Sequence, residues 1–563
     1  MKDYLSERTA KLVIGDAAAE KCLSRGCPQG AKCSPLLWNI LYDELLKTPL
    51  PPGCEIQGFA DDLFMTCIHP DKNVCQSRTN WTLEILSKWG TENKLAFNPK
   101  KTQALVITNK RNVEIDIRMG TTKLKVTKQL KYLGTIIQNK NKHGAHVEEV
   151  CKRAKNIHQR LMYTTGKEWG LNGQVVRTLY TAAIEPILTY ASSTWVDALK
   201  YDCNRKKLLS TQRLFAIAII KAYKSVSTEA ATLLANIEPI DLKVKLCAER
   251  YKLRRGLVDN NIETVRHYSE KEHPAISTRF VRQACEQEHR YSIFTDGSKI
   301  NQQTGCAFVV YLQGRMLYAE KYRLADHCTV FQAEMFAILK ASEWCRRQLQ
   351  SAIIQSDSLS SLQAICSRAD LSETVAQIRE YLRNSDGHIC LKWVKAHCGI
   401  VGNELADKLA KQATEQLSIS YDKVPMSFAI MKLKKELEER WNQRWQDSSK
   451  GRTTFQYFGS VESRKKVRDL PDYVTTQFIT GHGAFAQYLY SRKKVLDEGC
   501  FCGAEQQTPR HLLLDCPATA HLRAEVGYQL GTPLVELRLD DTNYCLVKSF
   551  MRDAYSVLKN NQP

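Results

Sequence analysis

The spacing of hydrophobic and polar positions changes along the chain. Over residues 1–138, short apolar runs such as Ala104–Thr108 and Leu130–Ile137 predict strands, and Trp81–Gly90 reads as an amphipathic helix stopped by glycine. From 139 to 286 a helical period dominates, rich in Lys and Arg. Its longest apolar run, Leu214–Ile220, lies between Arg213 and Lys221 and predicts a buried helix, far short of the ~18 residues of a membrane span. Between 287 and 416, strand patterns (Tyr291–Lys299, Gly305–Leu324, Ser351–Asp357, Ile389–His397) are interleaved with helical ones (Phe331–Arg347, Gly402–Ala413), which predicts a compact α/β unit. Residues 417–563 form a tail in which Ile430, Leu433, Leu437, Trp441 and Trp445 recur at helical spacing. The expected architecture is multidomain, α/β and α, with boundaries near 138, 286 and 416.

Charge narrows the partner. Lys and Arg number 81 against 60 Asp and Glu, a net +21, so a polyanion is the leading ligand class. The 20 cysteines are mostly scattered outside any framework spacing, and the N-terminus lacks a signal-peptide core. An intracellular protein with reduced thiols is expected, in nucleus or cytoplasm, neither secreted nor membrane-bound.

The α/β unit carries the clearest chemistry. Asp296 follows an apolar strand and precedes Gly297-Ser298, read as a turn. Glu334 lies on the core-facing stripe of a helix, Asp357 ends a strand, and Asp407 lies in the first turns of a helix. Strand ends and helix starts converge at one mouth of a sheet. Carboxylates gathered there repel one another unless divalent cations intervene, and oxygen ligands suit Mg²⁺. The segments FTDGSK, FQAEMFAILKA, QSDS and KAHCGIVGNELADKLAK resemble, in order and spacing, the type I ribonuclease H family. The resemblance implies an α/β domain with a mixed sheet. In it Asp296, Glu334, Asp357 and Asp407 bind two Mg²⁺ (or Mn²⁺), and His397 on a loop assists proton transfer or product release. The implied substrate is the RNA strand of an RNA–DNA hybrid.

The front of the chain becomes readable beside this. Residues Gly26–Leu46, then Gly58–Met65 (GFADDLFM), Leu95–Ile107 and Lys131–Gln138 resemble the later palm motifs of reverse transcriptases from non-LTR, LINE-type retrotransposons of the Jockey/I-like group. The resemblance implies that Pro28, Gln29 and Gly30 lie against template and nucleotide. It implies that Lys101 lies near the nucleotide phosphates and that Asp61 and Asp62 are the paired metal ligands. A polymerase needs a further aspartate on an earlier strand, and none fits in the residues before Gly26. A partial, N-terminally truncated palm (1–138) that does not polymerise DNA by itself is therefore expected, followed by a helical thumb or connector (139–286). An RNA-directed DNA polymerase, if the natural chain is longer, and a non-catalytic nucleic-acid-binding relic are the alternatives; the intact acids oppose the relic.

In the tail, Cys500, Cys502, His511 and Cys516 read C-x-C-x8-H-x4-C, and three thiols with one imidazole suit a closed structural Zn²⁺ site. The preceding Gly481–Tyr490 also resembles the tail of the same retrotransposon group. The expected whole is a hydrolase of RNA–DNA hybrids that binds RNA and DNA and ends in a zinc knuckle.

Overall fold

The computed structural model describes the chain apart from residues 1–5, 7, 24–25, 29, 109, 111–112, 140–142, 259–260, 264, 267–279, 282–288, 349–350, 368–370, 386–387, 531–537 and 562–563. It divides into two units, Met1–His146 and Val147–Pro563.

In the first unit the helices Ser34–Leu46 and Lys72–Glu92 flank the hairpin Cys54–Phe59 and Asp62–Cys67. Asp71 starts the second helix by accepting from the amides of Asn73 and Val74, an N-cap of the ordinary kind. Tyr42, Leu45, Leu83, Leu86 and Trp89 form its small core with Ile117, Met119 and Leu124. Gly58 is a glycine for a steric reason: a Cβ there would stand 2.2 Å from the Tyr42 ring.

The second unit contains a seven-stranded mixed sheet. Its strands are β1 (Phe280–Val281), β2 (Tyr291–Ile300), β3 (Gln303–Leu312), β4 (Arg315–Leu324), β5 (Ala352–Ser356), β6 (Ile389–Trp393) and β7 (Ile419–Tyr421). They lie in the order β1-β6-β5-β2-β3-β4-β7. β2 to β4 form an antiparallel meander, while β5 and β6 add in parallel beside β2. Strand alternation sorts the side chains. Ile293, Phe308 and Val310 pack in the core that contains α1 (Val330–Gln348) and α2 (Glu373–Arg383), whereas Phe294 and Val309 pack with Ala406 of α3 (Val401–Ala413). α3 crosses the sheet at Gly305, where a Cβ would come within 2.7 Å of the Ala410 carbonyl oxygen.

Gly297 and Ser298 do not form the expected turn. β2 continues to Ile300, and the chain reverses at Asn301 and Gln302, both at positive φ. Close packing accounts for the glycine: a Cβ on Gly297 would sit 2.6 Å from the Glu334 amide nitrogen. Gly297 thus lets α1 approach the strand that carries Asp296.

The connector and the tail, expected as separate domains, share one hydrophobic core. Trp195, Phe215 and Leu234 lie in the same cluster as Trp445, Phe478 and Phe550. Leu437, Trp441 and Trp445 of α4 (Met426–Asp447) are buried as their spacing predicts. Polar ties cross the same boundary. Arg444 donates in bidentate fashion to Asp241 at 2.9 and 2.7 Å, and the buried Arg464 guanidinium donates to the Leu234 carbonyl oxygen at 2.9 Å. Such planar forks are among the stronger charge-assisted hydrogen bonds. Among the described residues no helix is long and apolar enough to cross a membrane.

Candidate active site and metal centres

Three of the four expected acids meet. Asp296 from the middle of β2, Glu334 from α1 and Asp357 just past β5 offer carboxylate oxygens that all lie within 4.8 Å of one another. Asp296 and Glu334 are buried, at 7% and 6% exposure. Burial, with the charges of Asp357 and Asp407 added, pushes the Asp296 carboxyl up to about 7; Lys411 opposes the rise. Burial likewise raises the Glu334 carboxyl far above its usual range, with Asp296 and Asp357 contributing. Glu334 Oε2 is buried without a hydrogen-bond partner. Hard oxygen donors crowded together, one of them orphaned, are the donor set that Mg²⁺ or Mn²⁺ fits.

Asp407 on α3 stands apart from this trio and is paired with Lys411 one turn on, Nζ to Oδ2 2.7 Å. It is near enough for its charge to act on Asp296. His397 lies in the exposed loop between β6 and α3, with its backbone in the left-handed region at φ 53°.

The sequence reading missed Asn403. Its Nδ2 donates to Asp357 Oδ2 at 3.1 Å, while the Trp393 indole donates to the Asp357 backbone oxygen at 3.1 Å. Asn403 is 4% exposed and its Oδ1 has no partner. The signal was present, since Asn403 lies four residues before Asp407 on the same helix and so faces the same way.

In the first unit Asp61 occupies the two-residue turn between paired Phe59 and Asp62, and Asp62 opens the next strand. The Trp38 indole donates to the Ala60 carbonyl oxygen at 2.7 Å and fixes this turn. Tyr132 stacks on Phe64 with ring centroids 4.6 Å apart, which brings the Tyr132–Gly134 hairpin beside the aspartates. Asp61 and Asp62 are exposed, and among the described residues no third His, Cys, Asp or Glu joins them at ligand spacing. Pro28 and Gly30 lie in the loop before the Ser34–Leu46 helix, and Lys101 in a turn before the Gln103–Leu105 strand; Gln29 falls outside the described residues.

In the tail, Cys500, Cys502, His511 and Cys516 present ligand atoms that all lie within 4.8 Å of one another. Cys502 Sγ is 3.2 Å from His511 Nε2. Burial pushes the Cys500 thiol up to about 12, whereas the Ala504 amide and the neighbouring thiols outweigh burial and hold Cys502 below its usual range. Soft sulfur donors with one imidazole fit a tetrahedral metal.

Comparison with known proteins matches two segments of the chain to known families. Residues 1–137 match the reverse transcriptase (RNA-dependent DNA polymerase) family, and residues 288–415 match the RNase H family. The 115 kDa protein of the type-1 retrotransposable element R1DM from Drosophila melanogaster is 27% identical over 255 residues, 45% of this chain and 25% of its own length. A retrovirus-related Pol polyprotein from a type-1 retrotransposable element R1 of Nasonia vitripennis is 28% identical over 249 residues, 43% of this chain and 60% of its own. The chain thus aligns with only part of each of these relatives. Among solved structures, the solution structure of the PFV RNase H domain is 20% identical, covering 23% of this chain and 96% of that one, with a TM-score of 0.21. The chain is accordingly a relative of the Pol polyproteins of R1-type non-LTR retrotransposons, with a reverse transcriptase segment at its front and an RNase H domain in residues 288–415.

Proposed function

We propose that this chain hydrolyses the RNA strand of RNA–DNA hybrids, at the site formed by Asp296, Glu334, Asp357 and Asp407. One observation carries the reading: three acids from three separate elements share one buried site in which Glu334 Oε2 has no partner. When bound, two divalent ions would neutralise these acids and polarise the scissile phosphodiester. Asp296, Glu334 and Asp357 supply the oxygen ligands, and Asn403 holds Asp357 in orientation. Asp407 would complete the set of residues that hold the ions if its pairing with Lys411 were broken. Water adds to phosphorus as the bond to the RNA 3′-oxygen breaks, and His397 on its exposed loop delivers a proton to that oxygen. The products are a 5′-phosphate and a 3′-hydroxyl. Selection of RNA on the cleaved strand rests on contacts to its 2′-hydroxyls.

The same reading assigns Zn²⁺ to the four tail ligands, where it would stabilise the fold around them. For residues 1–138 it assigns nucleic-acid contact through Pro28, Gln29, Gly30 and Lys101, with Asp61 and Asp62 as residual metal ligands and no DNA synthesis by this chain. The purified chain, given a labelled RNA–DNA hybrid and Mg²⁺, is expected to cut only the RNA, and Asp296→Asn is expected to cut nothing. Cleavage that survives Asp296→Asn would place the site elsewhere, and no cleavage by either protein would leave a nucleic-acid-binding relic.

A further inference from the structure

The Gly481–Tyr490 stretch, which lies just before the Cys/His cluster, takes no part in the hydrolytic site. Its residues meet the connector in a half-buried polar and aromatic cluster. Ser225 Oγ lies 2.8 Å from His482 Nδ1 and 2.6 Å from the Tyr488 hydroxyl. The Tyr223 and Tyr473 hydroxyls are 2.9 Å apart. His482 stacks on Tyr488, and Tyr488 meets Tyr223 edge-on. The polar ends of these rings are therefore satisfied within the cluster, which makes it a firm base.

Cations rise from this base. Lys167 Nζ stands 3.8 Å above the Tyr223 ring, and the Arg492 guanidinium lies 5.4 Å from the Tyr488 ring centre. Lys224 adjoins Tyr223, and Lys493 and Lys494 follow Arg492; all are exposed. Among the described residues, none of these five has an acidic partner within ion-pair distance, whereas many other surface cations of this unit, such as Lys200 with Asp197, are paired. Glu168 adds one opposing charge nearby, and Asp472 is already bound by Arg552. Unpaired charge of one sign on a fixed base suits a polyanion.

Exposed rings accompany the charge. Lys167 and Trp169 ride on a short hairpin closed by the Thr165–Gly170 bridge, and Lys221 Nζ donates to the Trp169 carbonyl oxygen. Trp169 is 61% exposed, and Tyr490, two residues before Arg492, is 48% exposed. The helix that carries Tyr490 (Ala486–Ser491) is fastened to the Cys/His loop, because Gln507 Oε1 accepts from the Ala486 amide at 2.9 Å.

We propose that this surface, shared by the connector and the tail, binds single-stranded nucleic acid. Phosphates lie along Lys167, Lys224 and Arg492–Lys494, and unpaired bases stack on Trp169 and Tyr490. Exposed rings flanked by unpaired cations favour a single strand over a duplex, whose bases are already stacked on each other. The Cys/His cluster then acts as the scaffold that holds the basic loop in place. The proposal is independent of hydrolysis at Asp296.

Fluorescence anisotropy tests it on the full chain without Mg²⁺, with a labelled single-stranded RNA, the same sequence as DNA, and an RNA–DNA hybrid duplex. The triple variant Arg492→Gln/Lys493→Gln/Lys494→Gln is expected to bind single strands at least tenfold more weakly. Its slope of log affinity against log salt should be smaller by about 2, because three fewer phosphates are neutralised on binding. Trp169→Ala is expected to weaken single-strand binding by roughly fivefold to a hundredfold with the salt slope unchanged. Lys200→Gln, which removes a cation already paired, should bind like the wild type. The proposal is overturned if the triple variant and Trp169→Ala both bind single strands like the wild type. It is equally overturned if the hybrid duplex loses as much affinity as the single strands in both variants, since the surface would then be reading a duplex backbone.

Discussion

Lys411 holds the fourth acid of the site, its ammonium 2.7 Å from Asp407 Oδ2, while Asp296, Glu334 and Asp357 cluster with no such ion pair among the described residues. At the proposed metal site, lysine and metal would therefore compete for one carboxylate. Both side chains are partly exposed, so the pair is worth no more than about 1 kcal/mol. Lys411→Met is expected to lower the Mn²⁺ concentration for half-saturation by up to about fivefold. Calorimetric titration of Mn²⁺, independent of turnover, reads the effect; unchanged or weaker binding would show that Lys411 does not compete.

The buried acids set a pH dependence in the metal-free chain. Asp296 titrates near 7 in the folded protein and Glu334 is shifted in the same direction, both well above unfolded carboxyls near ~4. The folded state thus holds protons that the unfolded state has released. The Asp296 share of that stabilisation is complete below about pH 4 and is lost as pH rises through about 7. Without divalent ions, Tm is expected to fall between pH 5 and 8 more steeply for the wild type than for Asp296→Asn. Equal slopes in the two proteins would rule out a raised Asp296.

Asn403→Ala should act through Asp357. Loss of a hydrogen-bonded partner behind a metal ligand commonly costs about 10–100-fold in metal affinity or activity. The expected signature is a higher Mg²⁺ requirement, with residual cleavage recovered at high Mg²⁺. A loss that Mg²⁺ cannot recover would place Asn403 in contact with the substrate.

In the tail, elemental analysis of the chain is expected to find about one zinc, and Cys502→Ser none, with a lower Tm. A zinc-free wild type would remove the assignment.

Trp445 is 1% exposed, and its indole donates to the Phe458 carbonyl oxygen at 2.9 Å. Trp445→Ala is expected to cost about 3–5 kcal/mol. Because Trp445 shares a core with Phe215 and Trp195 of the connector, protease sites in residues 147–254 should become accessible together with those of the tail. Protection of the connector after the tail opens would show two independent cores.

Local pattern carried much of this. The helical spacing of Leu437, Trp441 and Trp445, the apolar strand leading to Asp296 and the stripe holding Glu334 are all decided by neighbours along the chain, and so are legible in it. The glycine after Asp296 was misread because nothing local distinguishes a turn glycine from one that admits a helix 2.6 Å away. The link from Asn403 to Asp357 and the core common to connector and tail depend on packing between residues far apart in sequence, which periodicity does not encode.

The RNase H segment is spelled out between two halves of another body. Residues that complete the core around Trp195 and Phe215 are reached only after the chain has passed through the sheet of β1 to β7. A reading frame stopped shortly after Asp407 would encode Asp296, Glu334, Asp357 and Asp407 and yet leave the connector half-built around an unfilled apolar face. Integrity of these four acids is therefore no measure of whether the chain folds; the codons downstream of them decide that.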